Sequence, residues 1–155
     1  MAIFSQISIP TAGVPITLQI MVVAFTGYFL GVKRGCIAMV VYILLGIVGV
    51  PVFSGLQGGL GVLISYTGGF IFGFIPLTAL CGIGIGRRSK IFLGIVGLFL
   101  CHFLGTLQYM LLSQLGFFAA IAVVSLPFLV KDILLIISAY LISEIVKKKI
   151  TPFAA

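Results

Sequence analysis

Long apolar runs, separated by short polar segments, dominate this sequence of 155 residues. Within each run the apolar residues are continuous and do not alternate with polar ones, which favours helices over the strands of a barrel. A helix needs about 20 such residues to cross the roughly 30 Å hydrocarbon layer of a bilayer. The pattern therefore predicts an all-α integral membrane protein, a single domain with five full transmembrane helices, at about residues 16–32, 35–50, 68–85, 91–112 and 127–146.

Three segments lie outside these spans. Residues 51–67 contain the Gly-rich, uncharged stretch VFSGLQGGLG and are predicted to be a loop. Residues 113–126 are predicted to be a second loop, in which the short run 117–126 is a connector or a surface helix. The N-terminal MAIFSQISI is apolar, but nine helical residues reach only about 13 Å. We expect a short half-helix there, either in the outer boundary of the membrane or as the remnant of a longer first span.

Charge decides the orientation of the predicted bundle. The sequence is 62% hydrophobic and 7% charged, and it carries nine Lys and Arg residues against two acidic ones. With five alternating spans, eight of the nine cations fall on one side, which the positive-inside rule assigns to the cytoplasm. We therefore expect a multi-pass protein of the cytoplasmic membrane with a cytoplasmic C-terminus and with outer loops at 51–67 and 113–126. Lys131 is then the only cation on the outer side.

The same residues exclude several other functions. The net charge of +7 does not indicate nucleic-acid binding, because the cations lie in short clusters between apolar runs. P-loop, H-E-x-x-H and G-x-S-x-G motifs are absent, and the three cysteines lie inside apolar runs, so neither a metal nor a cofactor is predicted. Glu144 is expected to form a helical ion pair with Lys147 or Lys148. An intramembrane enzyme would need His102 and a second catalytic group, whereas a structural His102 would be satisfied by Thr106, a backbone carbonyl or a neighbouring helix.

Asp132 is the polar residue that most needs an explanation. It lies about five residues inside the last predicted helix, and a charge costs on the order of 2.5–3.5 kcal/mol at the centre of a span. One interpretation is an interfacial pair with Lys131, but adjacent residues on a helix point about 100° apart, so this pairing is not favoured. A carboxylate on an apolar helix face instead favours a mostly apolar ligand with N–H donors. That face is predicted to include Phe128, Leu135, Ile136 and Ala139.

Four motifs identify a resemblance that covers almost the whole chain. VPITLQ (14–19), GVPVFSGLQGGLG (49–61), YTGGFIFGF (66–74) and PFLVKD (127–132) stand in the order seen in the BioY family. That family comprises the biotin-binding S components of energy-coupling-factor (ECF) vitamin transporters. The resemblance implies a six-helix fold, truncated here at the first helix, and a function in biotin uptake with no catalytic residues.

The resemblance also implies a binding site. Asp132 is expected to accept the two N–H groups of the ureido ring, and Lys131 to meet the valerate carboxylate. Phe70 and Phe74 are expected to contact the apolar part of biotin. The remaining positions carried over from the family's motif are Ser65, Thr67 and Gly68.

The chain departs from the family's pattern near this site. Tyr66 replaces the Pro before T-G-G, and Phe70 replaces a Tyr, so one hydroxyl is lost. Val130 and Lys131 replace the Pro-Gly before the Asp, and Leu135 replaces the Lys three residues after it. Binding of a different small vitamin-like molecule is therefore an alternative to biotin.

Partner proteins are implied by the same resemblance. The family's first helix carries an A-x-x-x-A pattern that docks on a transmembrane coupling subunit, which is joined to ATPases, and this pattern has no match here. We therefore expect either a solitary biotin transporter or one that depends less on a shared coupling subunit. A homo-oligomer is a further possibility.

Overall fold

The computed structural model describes residues 1–6, 8–9 and 16–150, and helices make up most of them. Two very short strands, β1 (Ser8–Ile9) and β2 (Ile16–Thr17), pair antiparallel near the N-terminus. The all-α prediction is thus confirmed, with this small ribbon as an addition. The helices are α1 (Ala2–Gln6), α2 (Gln19–Ile47), α3 (Leu60–Leu63), α4 (Gly68–Ile83), α5 (Arg87–Ser113), α6 (Phe117–Val124) and α7 (Leu126–Ile150).

Helix α2 is a helical hairpin and not one straight helix. Gly31 has φ 75° and ψ −179°, a conformation that glycine adopts without a steric cost. Beyond it the chain doubles back, since a Cβ on Gly35 would lie 3.5 Å from Gly27 Cα, whereas eight residues of continuous helix would separate them by about 12 Å. The arms 19–30 and 32–47 correspond to the first two predicted runs. The reversal lies at Gly31, however, and not in the Lys33–Arg34 segment where the sequence suggested a break.

The helices differ in how well their length suits a membrane. By length and composition α2 and α5 could cross one, and the pair α6 and α7, bent by 52°, would be a third span. Helix α4 is apolar but has only 16 residues. Because α2 reverses at Gly31, its two arms are only about 18 and 24 Å long. Large apolar side chains such as Phe92, 66% exposed, face outward, as expected where lipid is the solvent.

The predicted loops contain helices of their own. Segment 51–67 includes α3, and segment 113–126 includes α6, whose run of eight residues without Gly or Pro favours a helix. At the N-terminus, α1 spans only five residues, and Ser5 Oγ donates a hydrogen bond to the Val52 carbonyl, 2.8 Å away. The predicted half-helix is therefore shorter than expected, and it packs against the 51–67 segment.

Glycines permit the close packing of α4 between its neighbours. A Cβ at Gly73 would lie 2.7 Å from Cys101 Sγ on α5. A Cβ at Gly27 on α2 would collide with the Thr78 carbonyl oxygen and lie 2.7 Å from Cys81 Cβ on α4. The backbones of α2, α4 and α5 therefore approach closely, and this core positions the cavity described below.

The two ends of the bundle differ in charge. At one end, Lys147 Nζ donates to the Tyr28 carbonyl at 2.7 Å. Glu144 lies 3.6 Å from Lys90 Nζ and 3.9 Å from Lys147 Nζ, so the predicted helical ion pair is present together with a second cation from α5. The opposite end carries the 51–67 segment, the start of α2 and the start of α7. Which end faces the cytoplasm remains a prediction.

Candidate functional site

A cavity of about 410 Å³ lies at the end of the bundle opposite the basic clusters. Its volume is within the range of small-molecule sites, roughly 300–1,000 Å³. The wall is mostly apolar and includes five aromatic side chains, Phe53, Tyr66, Phe70, Phe74 and Phe128. The polar side chains on the wall are Thr17, Gln19, Ser54, Gln57, Ser65, Thr67, His102, Lys131 and Asp132.

Six of the seven residues predicted from the sequence line this cavity. They come from two stretches of the chain, 65–74 and 131–132, and are Ser65, Thr67, Phe70, Phe74, Lys131 and Asp132. Gly68 does not line it. A Cβ at Gly68 would collide with the Leu63 carbonyl and lie 2.6 Å from Gln108 Nε2, so this glycine serves the packing of the loop behind the cavity.

Asp132 lies on the buried face of α7 and is only 3% exposed. Its Oδ2 is 3.2 Å from His102 Nε2 on α5. Its Oδ1 is 2.7 Å from Lys131 Nζ, but the contact lacks hydrogen-bond geometry, and no other described residue donates to Oδ1. Oδ1 is therefore a buried acceptor without a hydrogen-bond partner, on a residue that lines the cavity.

The close approach of Lys131 to Asp132 contradicts the sequence-based argument. That argument considered only the directions in which adjacent side chains leave a helix, which differ by about 100°. The four-carbon stem of lysine is flexible enough to bring its ammonium group back to the neighbouring carboxylate. The interfacial pair that the sequence disfavoured is thus present in the structure.

Lys131 also connects α7 to the segment before α2. Its Nζ donates to the Thr17 carbonyl at 2.9 Å and lies 5.9 Å from the centre of the Phe128 ring. The side chain is 30% exposed, so the ammonium remains accessible from the cavity. The ammonium has three N–H donors and two oxygen neighbours, the Thr17 carbonyl and Asp132 Oδ1, so it can still donate to a ligand.

His102 belongs to a buried series of hydrogen bonds. Its Nδ1 is 3.1 Å from Ser125 Oγ, and Ser125 Oγ is 2.7 Å from Thr106 Oγ1. The ring also meets Phe70 edge-on, at 5.6 Å between centroids. This agrees with the interpretation of a histidine satisfied by neighbouring helices, although its partner on α7 is the candidate ligand-binding carboxylate.

The rim formed by residues 62–67 is held by side-chain to backbone hydrogen bonds. Ser65 Oγ donates to the Val62 carbonyl at 2.7 Å and lies 3.2 Å from Thr67 Oγ1. From α5, Gln108 Nε2 donates to the carbonyls of Leu63 and Ser65, at 2.7 Å each. These bonds keep the irregular segment in place beside the cavity.

Several lining residues were not identified from the sequence. Gln19 is 7% exposed, and its Nε2 donates to Tyr42 Oη at 2.7 Å. Thr17 contributes its carbonyl to Lys131 from 114 residues away. The sequence did contain a signal for these two residues, since Thr17 and Gln19 are polar residues at the start of the first apolar run. Polar residues at that place are equally typical of an ordinary helix end, so they did not indicate a binding site.

Comparison with known proteins gives a consistent result. A model of the BioY family matches residues 1–152. A probable biotin transporter BioY of Pyrococcus horikoshii is 36% identical over 141 residues, which cover 90% of this chain and 85% of that protein. The biotin transporter BioY of Thermotoga maritima is 36% identical over 152 residues, which cover 92% and 86%.

A solved structure has the same fold. It is the S-component for biotin from an ECF-type ABC transporter, which superposes with a TM-score of 0.87. The match covers 95% of this chain and 84% of that one, at 22% sequence identity. The bundle described above is therefore the fold of an S component.

Proposed function

The chain belongs to the BioY family, and from this premise we propose that it takes up biotin across the cytoplasmic membrane as the substrate-binding S component of an ECF-type transporter. The observation that carries the assignment of the site is the buried Asp132, whose Oδ1 lacks a hydrogen-bond partner, in the wall of a mostly apolar cavity. A buried charge is costly unless it has partners, so a carboxylate at such a position favours a ligand that supplies N–H donors.

The pair formed by Asp132 and Lys131 suits the ureido ring of biotin. That ring carries N–H donors next to a carbonyl acceptor, and the pair offers an acceptor and a donor 2.7 Å apart. We assign a ureido N–H to Asp132 Oδ1 and the ureido carbonyl to Lys131 Nζ. Hydrogen bonds to charged groups are worth roughly 1.5–3 kcal/mol each.

This assignment replaces the expectation that Lys131 meets the valerate carboxylate. The ureido ring and the carboxylate lie at opposite ends of biotin, so two protein groups 2.7 Å apart do not suit both ends at once. It also changes the role of Asp132. Because Oδ2 accepts from His102, Oδ1 is left for one ureido N–H and not for both.

The apolar part of biotin would contact the aromatic wall. Phe74 is 4% exposed, and Phe70 packs its ring against Gly105 on α5, so both rings are fixed by the core. The thiophane ring and the valeryl chain gain from transfer out of water at about 25 cal/mol per Å² of apolar surface buried. Ser65 and Thr67 provide further hydroxyl groups at the rim.

The charge distribution supports capture from the outer side. The cavity lies at the end of the bundle opposite the basic clusters, which the positive-inside rule assigns to the cytoplasm together with the C-terminus. Biotin would therefore enter between the 51–67 segment and the start of α7. A transmembrane coupling subunit and ATPases are the partners that the S-component assignment implies, and independent uptake or self-association is the alternative.

An enzymatic function is not supported by the geometry. Ser125, His102 and Asp132 form a hydrogen-bonded series that resembles a nucleophile, base and orienting acid. Ser125, however, is 4% exposed, is bonded to Thr106 and is not among the lining residues of the cavity. A nucleophile in that position would have no access to a substrate, so we assign this series a structural role in binding.

The function is tested with purified protein and with cells. Titration calorimetry in detergent should show biotin binding, and thiamine and riboflavin serve as vitamins for comparison. Uptake of labelled biotin by an auxotrophic strain, with and without co-expressed coupling subunit and ATPases, tests transport and its dependence on partners. Binding of another vitamin without binding of biotin would contradict the assignment.

A further inference from the structure

A continuous series of buried hydrogen bonds leads from α5 to the candidate binding carboxylate. Thr106, Ser125, His102 and Asp132 are 1%, 4%, 5% and 3% exposed, and successive polar atoms are 2.7, 3.1 and 3.2 Å apart. We propose that His102 is a positioning residue for substrate recognition, which occupies Asp132 Oδ2 so that Oδ1 alone is presented to the ligand. The inference rests on the proposed function of the site.

The series has one internally consistent direction. Asp132 is an acceptor when ionised, so His102 Nε2–H donates to Oδ2. In the neutral ring Nδ1 is then an acceptor, and Ser125 Oγ–H donates to it. Ser125 Oγ in turn accepts from the Thr106 hydroxyl. Thr106, Ser125 and His102 each donate once along the series towards the carboxylate, and the tautomer of a neutral His102 is determined by its two neighbours.

The Phe70 ring, itself held by α5, keeps the imidazole in place. Phe70 meets it edge-on with ring centroids 5.6 Å apart. The Phe70 ring in turn occupies the space left by Gly105, where a Cβ would collide with it. The histidine therefore has little room to rotate, and its Nε2 acts as a fixed donor to the carboxylate.

The hydrogen bond from His102 determines how many oxygens of Asp132 can accept from the ligand. Without His102, the carboxylate would be free to turn both oxygens towards Lys131, whose Nζ is already 2.7 Å from Oδ1. The unpartnered acceptor, Oδ1, would then be lost to the ligand, or Oδ2 would stay buried without a partner. With His102 present, a ligand N–H donates to Oδ1 while His102 donates to Oδ2, so the two donors share one carboxylate.

Nuclear magnetic resonance can observe this arrangement directly, because His102 is the only histidine of the chain. Ring ¹⁵N labelling should show a protonated Nε2, the atom that donates to Asp132 Oδ2. Addition of biotin should shift the Nε2–H resonance, since a second donor then withdraws charge from the same carboxylate. An unprotonated Nε2 in the free protein, or ring resonances that do not respond to saturating biotin, would overturn the proposal.

Binding measurements supply the second test. His102→Ala should weaken biotin binding about tenfold or more, whereas His102→Gln, whose amide can donate to Asp132, should recover part of the loss. Ser125→Ala should weaken binding less. Ser138→Ala is the matched control, because Ser138 is partly exposed on α7 and, among the described residues, its hydroxyl donates to the Leu134 carbonyl of its own helix at 2.8 Å.

The outcomes separate this proposal from the assignment of function. If the wild type does not bind biotin, the proposed function fails, and the resonances of His102 still test the hydrogen-bond series. If Asp132→Asn abolishes binding while folded His102→Ala and His102→Gln both bind like wild type, the function stands and the positioning role is refuted. Recovery by Gln but not by Ala supports the role.

Discussion

Replacement of Asp132 by Asn is the most informative single change. The substitution keeps the shape of the side chain but removes its charge and places an amide at a position where both oxygens have assigned partners. Lys131 and His102 lie 2.7 and 3.2 Å from those oxygens and lose a charged neighbour. If the NH₂ group occupies the Oδ1 position, it also faces the ligand with a donor in place of an acceptor.

The expected magnitude follows from these contacts. A hydrogen bond to a charged group contributes roughly 1.5–3 kcal/mol, and a mismatched buried donor adds to its loss. We therefore expect biotin affinity to fall by about 2–4 kcal/mol, or roughly 30- to 1,000-fold. The effect on folding should be smaller, because Lys131 is 30% exposed and can turn towards solvent.

The chain contains its own control for this experiment. Glu144, the other acidic residue, lies on the same helix at the opposite end and is 37% exposed. Glu144→Gln makes the same chemical change away from the cavity and should leave biotin affinity unaltered. Titration calorimetry in detergent measures both variants. A thiol-reactive dye that reports exposure of the buried Cys81 and Cys101 on heating checks that they are folded.

The result that would refute the reasoning is specific. If folded Asp132→Asn binds biotin within about threefold of wild type, the carboxylate makes no charged bond to the ligand, since such a bond is worth more than that. Its burial would then reflect a structural network with Lys131 and His102. An equal loss in Glu144→Gln would show that the effect is not local to the cavity.

Three further predictions concern the cation, the packing and the orientation. Lys131→Met should weaken the binding of biotin and of biotin methyl ester alike, by roughly tenfold, because the assigned contact is at the ureido end. If calorimetry finds that binding of the ester is unaffected, the valerate carboxylate contacts Lys131 instead. Gly27→Val should lower the midpoint of thermal unfolding by several degrees, because the new side chain would collide with α4. Gly61→Ala, where a Cβ meets open space, should leave the midpoint unchanged, and equal midpoints for the two variants would refute this packing. In a background without native cysteines, an impermeant thiol reagent added to whole cells should label Gln57→Cys and not Lys149→Cys, and the reverse pattern would overturn the orientation.

Parts of this fold could be predicted from the sequence because they depend on local composition. Continuous apolar runs indicate helices whatever their neighbours are, and four of the predicted runs agree with α4, α5, α7 and the second arm of α2 to within a few residues. Asp132 was identifiable for the same reason, since a carboxylate within an apolar run is costly and needs a partner. The family motifs added Ser65, Thr67 and Phe70.

Other features could not be predicted because glycines look alike in a sequence. Gly31 forms the reversal of α2, and Gly68 packs behind the cavity. Each role depends on what lies opposite the glycine, at distances along the chain that no local pattern reports. The pairing of Lys131 with Asp132 was missed for a related reason, since helix geometry gives the direction of a Cβ and not the end point of a flexible side chain.

The sequence by itself determined the solvent of this protein, the presence of its helices and the one carboxylate that had to find partners within an apolar run. Only the tertiary structure decided what those partners are. It places His102, 30 residues away along the chain, against Asp132. It also places the Thr17 carbonyl, 114 residues away, against the neighbouring Lys131. The physical reason is that burial and helix formation act on each segment separately, whereas a hydrogen bond between two helices exists only once both are packed.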